Sequence, residues 1–490
     1  MPQPTPRRPP QAPPAEGHIT AEDVLLFANA ATTSTGQREF HSDDGAQTLS
    51  LDFLHAYMLG NYRELYAATL ALDINDHNAA LIVRHLLETA AEATAEQRAA
   101  EGRLIARRLT RMPPQRVYAL FTALRRAKVN NRRTRAIMRD WLAARPDPAF
   151  DAVKYRSGLK RALRHAHLPA ATQELGPFLF SAHGGRRFAT PLLETWRRAH
   201  YEQAAVYELP FTVAEGFAAR HGIDRGAFLE RIAPRMTRLE RLRLQESAAA
   251  LGAGSVRTDL KRMPLTRLAS YVLGLSLDER AARRPELTAA LRAAANRGAG
   301  PQARSWGRVT AVLDDSFSAY GSGQKRRRPL AVALAAHHLL GALAEEGGYT
   351  ALWTSGRTDA LLAFPYGATP LGERVLDALE TSPDLLLIVS DGWDNAPPGL
   401  AAEVLRVWRE RLDPEGRVTV VHLNPVYDAE VFDVRRLSPA VPTAGIRDAE
   451  DLPSLVGLAR FATGRTGLPE LRAHLDARTA AFLASPEDTR

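Results

Sequence analysis

The segment VTAVLDDSFSAYGSG, Val309 to Gly323, is an apolar run that stops at two carboxylates and continues with serines at alternate positions. Asp314, Ser316 and Ser318 thereby gather three oxygen-bearing side chains within a few residues. Two more oxygens stand downstream: Thr369 in GATPLG, ahead of a helical stretch, and Asp391 at the end of the apolar run LLLIVSD. Carboxylates and hydroxyls without Cys or His form a hard donor set that suits Mg2+ or another small divalent cation. Neutral hydroxyls leave such an ion electron-poor, so an open coordination position would accept a partner's carboxylate or phosphate. The competing explanation for Ser and Asp at a strand end is helix capping. Asp315 adds a second carboxylate whose direction the sequence leaves open.

Catalytic patterns fare worse. A phosphoryl-transfer aspartate is usually followed two residues on by a second Asp, and that position here is Ser316. No Gly-x-Ser-x-Gly elbow, phosphate-binding Gly-x-x-x-x-Gly-Lys-Ser/Thr loop or His-Glu-x-x-His zinc pattern occurs. The expectation is a non-enzymatic chain, with a metal-dependent nuclease or phosphatase the weakest of the functional classes.

A second group of chemistry-bearing residues is cationic. RRAKVNNRRTR, Arg125 to Arg135, contains Lys128, Asn131, Arg132, Arg133 and Arg135; KYRSGLKRALRHAHLPA, Lys154 to Ala170, contains Lys154, Arg156, Lys160, Arg161, Arg164, His165 and His167. Cationic side chains hold phosphates, and Tyr or His stacks on unpaired bases, so these residues are the candidate RNA contacts. The competing explanation is a solvated basic face. The charge distribution favours binding. Residues 301–490 hold 20 Lys/Arg and 25 Asp/Glu, a net of −5, which leaves +14 on residues 1–300 out of the +9 total. A uniform Arg-rich bias would affect both halves, whereas one basic half is the footprint of a polyanion binder. Four more cations, Lys325 to Arg328, lie beside the oxygen cluster. They either extend the basic surface or solubilise a loop.

Two kinds of element must position these groups. From His18 to about residue 300, segments such as SLDFLHAYMLGNYRELYAATLAL repeat apolar residues three and four apart, with Pro or Gly breaks at RMPPQR, ARPDPAF, HLPA, ELGPF and AHGGRR. That spacing predicts many short helices in an array without a clean repeat period. After Ser305 the pattern changes to short apolar runs (GRVTAVL, YTALWTS, ALLAF, DLLLIVS, RVTVVHL) alternating with helical stretches. This predicts an α/β sandwich with a mostly parallel sheet, whose working crevice lies at the strand carboxyl ends. MPQPTPRRPPQAPPAEG, residues 1–17, reads as a disordered proline-rich tail without an apolar secretory core, and residues 466–490 as a last helix and frayed end. With 490 residues, no cysteine and no membrane-length apolar run, the chain is expected to be a cytoplasmic multidomain protein with no membrane contact.

The three oxygen-bearing loops resemble the metal-ion-dependent adhesion site (MIDAS) of the von Willebrand factor A fold over about residues 305–465, with Asp314, Ser316, Ser318, Thr369 and Asp391 on its motif positions. A helical domain over 18–300 joined to such a domain resembles the TROVE-domain family, the Ro ribonucleoproteins. KYRSGLKRALRHAHLP is similar to that family's Lys-Tyr-Arg and Leu-Arg-x-x-His segments, although SGLK replaces its longer Gly-Trp-Ser-His connection. RMPLTRLASYVLGL from Arg262 is similar to its Met-Pro-Leu-Thr segment, with Met263, Pro264 and Leu265 expected to pack rather than to bind. The resemblance implies a ring-shaped array of HEAT-like repeats and a role in RNA quality control or processing. In that family small structured Y RNAs bind outside the ring, and single-stranded ends of misfolded RNA enter it. A partner exonuclease or other RNA-processing protein, and a monomeric chain, are further expectations. The rival reading is a Mg2+-dependent protein-interaction adaptor with the helices as scaffold.

Overall fold

The computed structural model describes residues 15–40, 44–181, 186–459 and 468–485. The tail expected over residues 1–17 lies outside the described residues as far as residue 14, and Ala15 already begins the first helix. The break at AHGGRR and the expected domain end near 465 also fall largely outside them.

The chain divides into two compact units. One is continuous, from Asp76 to Gly298, and is wholly helical. The other combines residues 15–75 with Ala299–Ser485. The helices preceding residue 76, read from sequence as part of the array, therefore pack with the α/β half. The helices of this leading segment are α1 (Ala15–Thr33), α2 (Asp44–Asn61) and α3 (Arg63–Ala68).

The continuous unit begins with α4 (Asp76–Glu88), α5 (Ala95–Arg111), α6 (Pro114–Arg126), α7 (Arg132–Ala143), α8 (Pro148–Lys154), α9 (Arg156–Ala166), α10 (Leu175–Phe180) and α11 (Pro191–Arg198). Helices α12 to α18 complete it, from Gln203–Val206 to Arg284–Ala299. Local chemistry sets the boundaries. Thr94 and Gln97 form a reciprocal cap on α5, Pro114 opens α6 at a position that needs no N–H, and Asp147 caps α8. Helix α6 buries Val117, Leu120, Phe121 and Leu124, one stripe at three- and four-residue spacing, and packs between α4 and α9. The approach of α9 is close: a Cβ on Gly158 would lie 2.8 Å from Cβ of Tyr118. Met263 and Leu265 are buried, as expected of packing residues, whereas Pro264 between them is exposed and precedes the helix Leu265–Gly274.

The second unit is built on five parallel strands in the order β2-β1-β3-β4-β7, where β1 is Val309–Leu313, β2 Tyr349–Trp353, β3 Leu385–Val389, β4 Thr419–Asn424 and β7 Thr443–Gly445. A small hairpin pairs β5 (Tyr427–Asp428) with β6 (Asp433–Val434). Strands β1 and β3 are buried at every position, which explains the unbroken apolar sequence of β3 and the nearly apolar one of β1, whose Thr310 hydroxyl is satisfied by that of Thr381 (2.7 Å). Helix α19 (Arg328–Leu343) is apolar nearly all round and buried. Helices α20 (Leu371–Glu380) and α21 (Leu400–Val407) join a core cluster that includes Val312, Val375, Leu386, Ile388 and Leu405. ALLAF, expected as a strand, is instead a 3-10 turn over Ala360–Leu362, capped by Asp359, whose side chain accepts from the Leu361 N–H.

Helix α1 closes the β7 edge of the sheet. Asn29 Oδ1 accepts from the Gly445 N–H (2.8 Å) while its Nδ2 donates to Asp433 Oδ1 (3.0 Å). Only glycine permits this approach, since a Cβ at 445 would sit 2.9 Å from the Asn29 carbonyl oxygen. Asn29→Ala should destabilise this unit by about 1–3 kcal/mol, because a buried N–H and a buried carboxylate each lose a partner. Denaturant unfolding followed by intrinsic fluorescence measures it; an unchanged midpoint would remove Asn29 from the edge closure.

Candidate cation site and candidate nucleic-acid interface

Sheet order reverses beside β1: β2 lies on one side and β3 on the other. Such a switch point opens a crevice beyond the strand carboxyl ends. Leu313 and Val389 are register partners, so Asp314 and Asp391, one and two residues beyond them, emerge side by side. Both line the same small crevice with Ser390 and Pro425. Hydrogen bonds join the three loops. Phe317 N–H donates to the Gly367 carbonyl (3.0 Å), Tyr366 N–H to the Asp315 carbonyl (2.9 Å), and Thr369 N–H to Asn395 Oδ1 (2.8 Å). Asp314, Ser316, Thr369 and Asp391 are almost fully buried, with Ser318 half-buried and its hydroxyl 3.3 Å from that of Ser316.

Each aspartate also holds its own loop: Asp314 Oδ1 accepts from the Ser316 N–H (2.9 Å) and Asp391 Oδ1 from the Trp393 N–H (3.0 Å). Burial, and next the charge of Asp391, push the Asp314 carboxyl up to about 7. Two facing carboxylates among hydroxyls, in a crevice that penalises their charge, form a donor set that fits a small divalent cation. Among the described residues no group of three or more His, Asp or Glu gathers in the manner of a metal site, here or elsewhere, so this donor set rests on two carboxylates and neighbouring hydroxyls.

Asp315 does not belong to this set. Its carboxylate accepts from Thr354 Oγ1 (2.9 Å), Ser355 N–H (2.9 Å) and Ser355 Oγ (2.7 Å), with Arg357 Nε at 3.6 Å. It points toward the β2 loop and ties it down. Lys325 and Arg328 are also structural. Lys325 forms a buried pair with Glu39 and donates to the Thr33 carbonyl, and Arg328 bonds Asp448 (2.6 Å). Three bracing residues escaped the sequence analysis. Thr354 bonds Asp314 and Asp315; Asn395 joins two loops; Asn424 Nδ2 donates to the Asp391 carbonyl (2.9 Å). Asn424 ends β4, and a polar residue closing an apolar strand next to β3 was the available signal.

In the helical unit the two basic stretches meet. His165 Nε2 lies 2.9 Å from the Val129 carbonyl, and Asn130 Nδ2 lies 3.4 Å from His167 Nε2. The turn after α6 therefore adjoins the carboxyl end of α9. At both places a cationic or ionisable residue occupies a left-handed position: Lys128 with φ 58° and His167 with φ 53°. After α6, Lys128 N–H bonds the Arg125 carbonyl and Val129 N–H the Leu124 carbonyl; after α9, Leu168 N–H bonds the Leu163 carbonyl. Glycine usually fills the left-handed residue of such closing turns, so a side chain there costs backbone energy. Lys128, Arg132, Arg135 and Arg161 are exposed and form no ion pair among the described residues.

Several expected contacts have other work. Asn131 caps α7, accepting from the Thr134 N–H (2.8 Å) and donating to the Leu87 carbonyl. Arg133 pairs with the buried Glu101 (2.9 Å) and bonds the Arg98 carbonyl. Arg156 donates to the Phe178 carbonyl (2.6 Å) and lies over the Phe178 and Trp196 rings at 5.1 and 5.0 Å, where burial lowers its pKa. These three tie helices together. Lys154 stands apart from the other cations of its stretch: the backbone breaks at Tyr155 (φ −116°, ψ 27°), so Lys154 ends α8 while Arg161 and His165 lie on α9. It lies 5.4 Å from the Phe150 ring centre. Lys160 and Arg164 both reach the ring of Phe180.

Fold and site together define a helical-repeat protein joined to a von Willebrand A-type α/β domain whose strand ends gather hard oxygens. The chain is Ro-like in fold: it is similar to the crystal structure of the Deinococcus radiodurans Ro (RSR) protein, with a TM-score of 0.51 and 16% identity over 91% of this chain and 100% of that one. No family model matches the sequence, and no curated protein does. No helix among the described residues is long and apolar enough to cross a membrane.

Proposed function

We propose that this chain is a non-enzymatic RNA-binding protein of Ro type. The observation that carries the reading is the convergence of the two basic stretches, with Lys128 and His167 in left-handed positions at the point of contact. A glycine at either position would relieve the backbone; the His167 ring is held by Asn130, whereas the Lys128 side chain, exposed and in no ion pair among the described residues, is free for a task outside the fold. Exposed cations Lys128, Arg132, Arg135, Arg161 and Arg164 contact RNA phosphates, and His165 and His167 orient the adjoining turns. The RNA class follows from the family resemblance: small structured RNA of Y type, or single-stranded ends of misfolded RNA. Asp314, Ser316, Ser318, Thr369 and Asp391 hold Mg2+ or a similar divalent cation. When bound, that ion supplies a positive point for an anionic group of a partner, for which an RNA-processing protein such as an exonuclease is the natural class. The cytoplasm is the compartment that fits this role.

A triple variant, Lys128→Gly, Arg132→Ala and Arg161→Ala, removes three cations and relaxes one strained backbone position. Its fold stability should change by no more than about 1 kcal/mol. Its RNA affinity should fall, and the slope of log affinity against log salt should become shallower by roughly 2 to 3. Fluorescence anisotropy across a salt series reads both. An unchanged slope with unchanged affinity would take these residues out of the RNA contact.

One observation favours the adaptor reading for the α/β unit in its own right. Phe317 and Tyr366, flanking the oxygen cluster, are 62% and 66% exposed, while Lys325 and Arg328 nearby are spent on Glu39 and Asp448. That face offers a cation and aromatic surface, with Arg326 an exposed positive charge beside it. A partner protein presenting one carboxylate suits it better than a polyanion does.

A further inference from the structure

We infer that Phe180, with Lys160 and Arg164, forms a stacking subsite for an unpaired nucleotide base on the helical unit; this deepens the RNA-binding reading and rests on it. Helix α10 meets its packing needs without Phe180, because Leu175, Phe178 and Leu179 are its buried residues. Phe178 turns inward against Trp196 and carries Arg156 over its ring. Phe180, two residues on, turns outward and leaves 40% of its surface in solvent.

Two cations attend that ring. Lys160 Nζ lies over the ring at 5.5 Å from its centre and the Arg164 guanidinium at 5.0 Å, so a stacking base takes the place of these flexible side chains and their charges turn to its phosphate. They are four residues apart on α9, so they share one helical face and repel each other. Neither forms an ion pair with a carboxylate among the described residues, in contrast to Arg133 with Glu101 or Arg145 with Asp151. An exposed ring beside two uncompensated cations offers what a single-stranded nucleotide needs: a flat apolar surface for the base and positive charge for its phosphate. A paired base presents no free face, so the subsite recognises the unpaired state and leaves sequence unread.

The test uses the full chain and two probes, a short unstructured RNA and a blunt duplex RNA of equal length. Phe180→Leu keeps apolar bulk and the fold while removing the π face; Phe180→Trp restores one. Phe180→Leu should weaken single-strand binding by roughly tenfold or more, leave duplex binding within twofold, and keep the salt slope of the wild type. Phe180→Trp should recover single-strand affinity. Wild-type affinity of Phe180→Leu for the single strand, or an equal loss on both probes, overturns the subsite. If that happens while the triple cation variant still loses RNA, the stacking inference fails alone. If the wild type binds neither probe, the RNA-binding reading falls first and the subsite with it.

Discussion

Replacing Arg145 by Ala should destabilise the helical unit by about 3–5 kcal/mol, the largest single loss expected in that half of the chain. Arg145 holds Asp151 through two bonds, Nε to Oδ2 at 2.6 Å and Nη2 to Oδ1 at 3.0 Å, and its guanidinium lies 5.1 Å from the Trp141 ring. Asp151 is 1% exposed and also accepts from the Tyr118 hydroxyl at 2.8 Å. Burial and the Asp151 charge raise the Tyr118 phenol, so that O–H remains a donor across the usable pH range. Without the guanidinium, a buried carboxylate keeps a single neutral partner. Much of the loss is the cost of that stranded charge, so Arg145→Leu combined with Asp151→Asn should recover at least half of it. Urea unfolding followed by circular dichroism distinguishes the cases; equal losses for the single and double variants would mean that the pair acts through packing alone. Because α8 leads through Tyr155 into α9, the single variant should also loosen the proposed RNA binding, whereas the triple cation variant should weaken it without unfolding.

The second large effect concerns Asp314. Its folded pKa, about 7, stands above the 3.8 of an ordinary aspartate. A raised carboxyl favours the folded state while it is protonated, and that contribution is lost as pH rises through the folded value. In metal-free buffer the wild type should therefore lose about 2–3 kcal/mol of stability between pH 5 and pH 8 through this group, while Asp314→Asn should lose little over the same range. At pH 8 in a chelator the variant should be the more stable protein. Adding Mg2+ should reverse the order, because an ion that binds only the folded wild type stabilises it by mass action. Melting temperatures at two pH values, with chelator and with Mg2+, complete the test. A variant that gains as much from Mg2+ as the wild type would show that the ion binds elsewhere.

The parts of this structure legible in the sequence are those dictated by short-range patterning. Largely apolar runs at Val309–Leu313 and Leu385–Val389 became the central strands, and the polar residues just beyond them marked the crevice. ALLAF misled because a run of that length is also satisfied by one capped turn, and Asp359 supplied the cap. Long-range assignments were beyond reach. Nothing local in Asn29 says that it meets Gly445, and nothing in NNRRTR distinguishes Asn131, a cap, from Arg132, an exposed cation. Arg133 and Arg156 looked like phosphate ligands because the sequence reports charge but not burial. Lys128 is a candidate by charge alone and His167 by resemblance, while the left-handed backbone they share is visible only in three dimensions.

The pairing of α1 with β7 spans 416 residues of chain, the entire helical unit lying between. A ribosome adding about 5–20 residues per second needs roughly 20–80 s to deliver Gly445 after Asn29. Throughout that interval α1 has its apolar side made but its mate unsynthesised, while the continuous helical unit can already collapse. The leading helices, α1 apolar over most of its surface, thus wait as an unprotected segment during every round of translation. A chaperone acting on nascent chains would find its natural client there, and production of the full chain should respond to such help more than production of residues 76–298 alone.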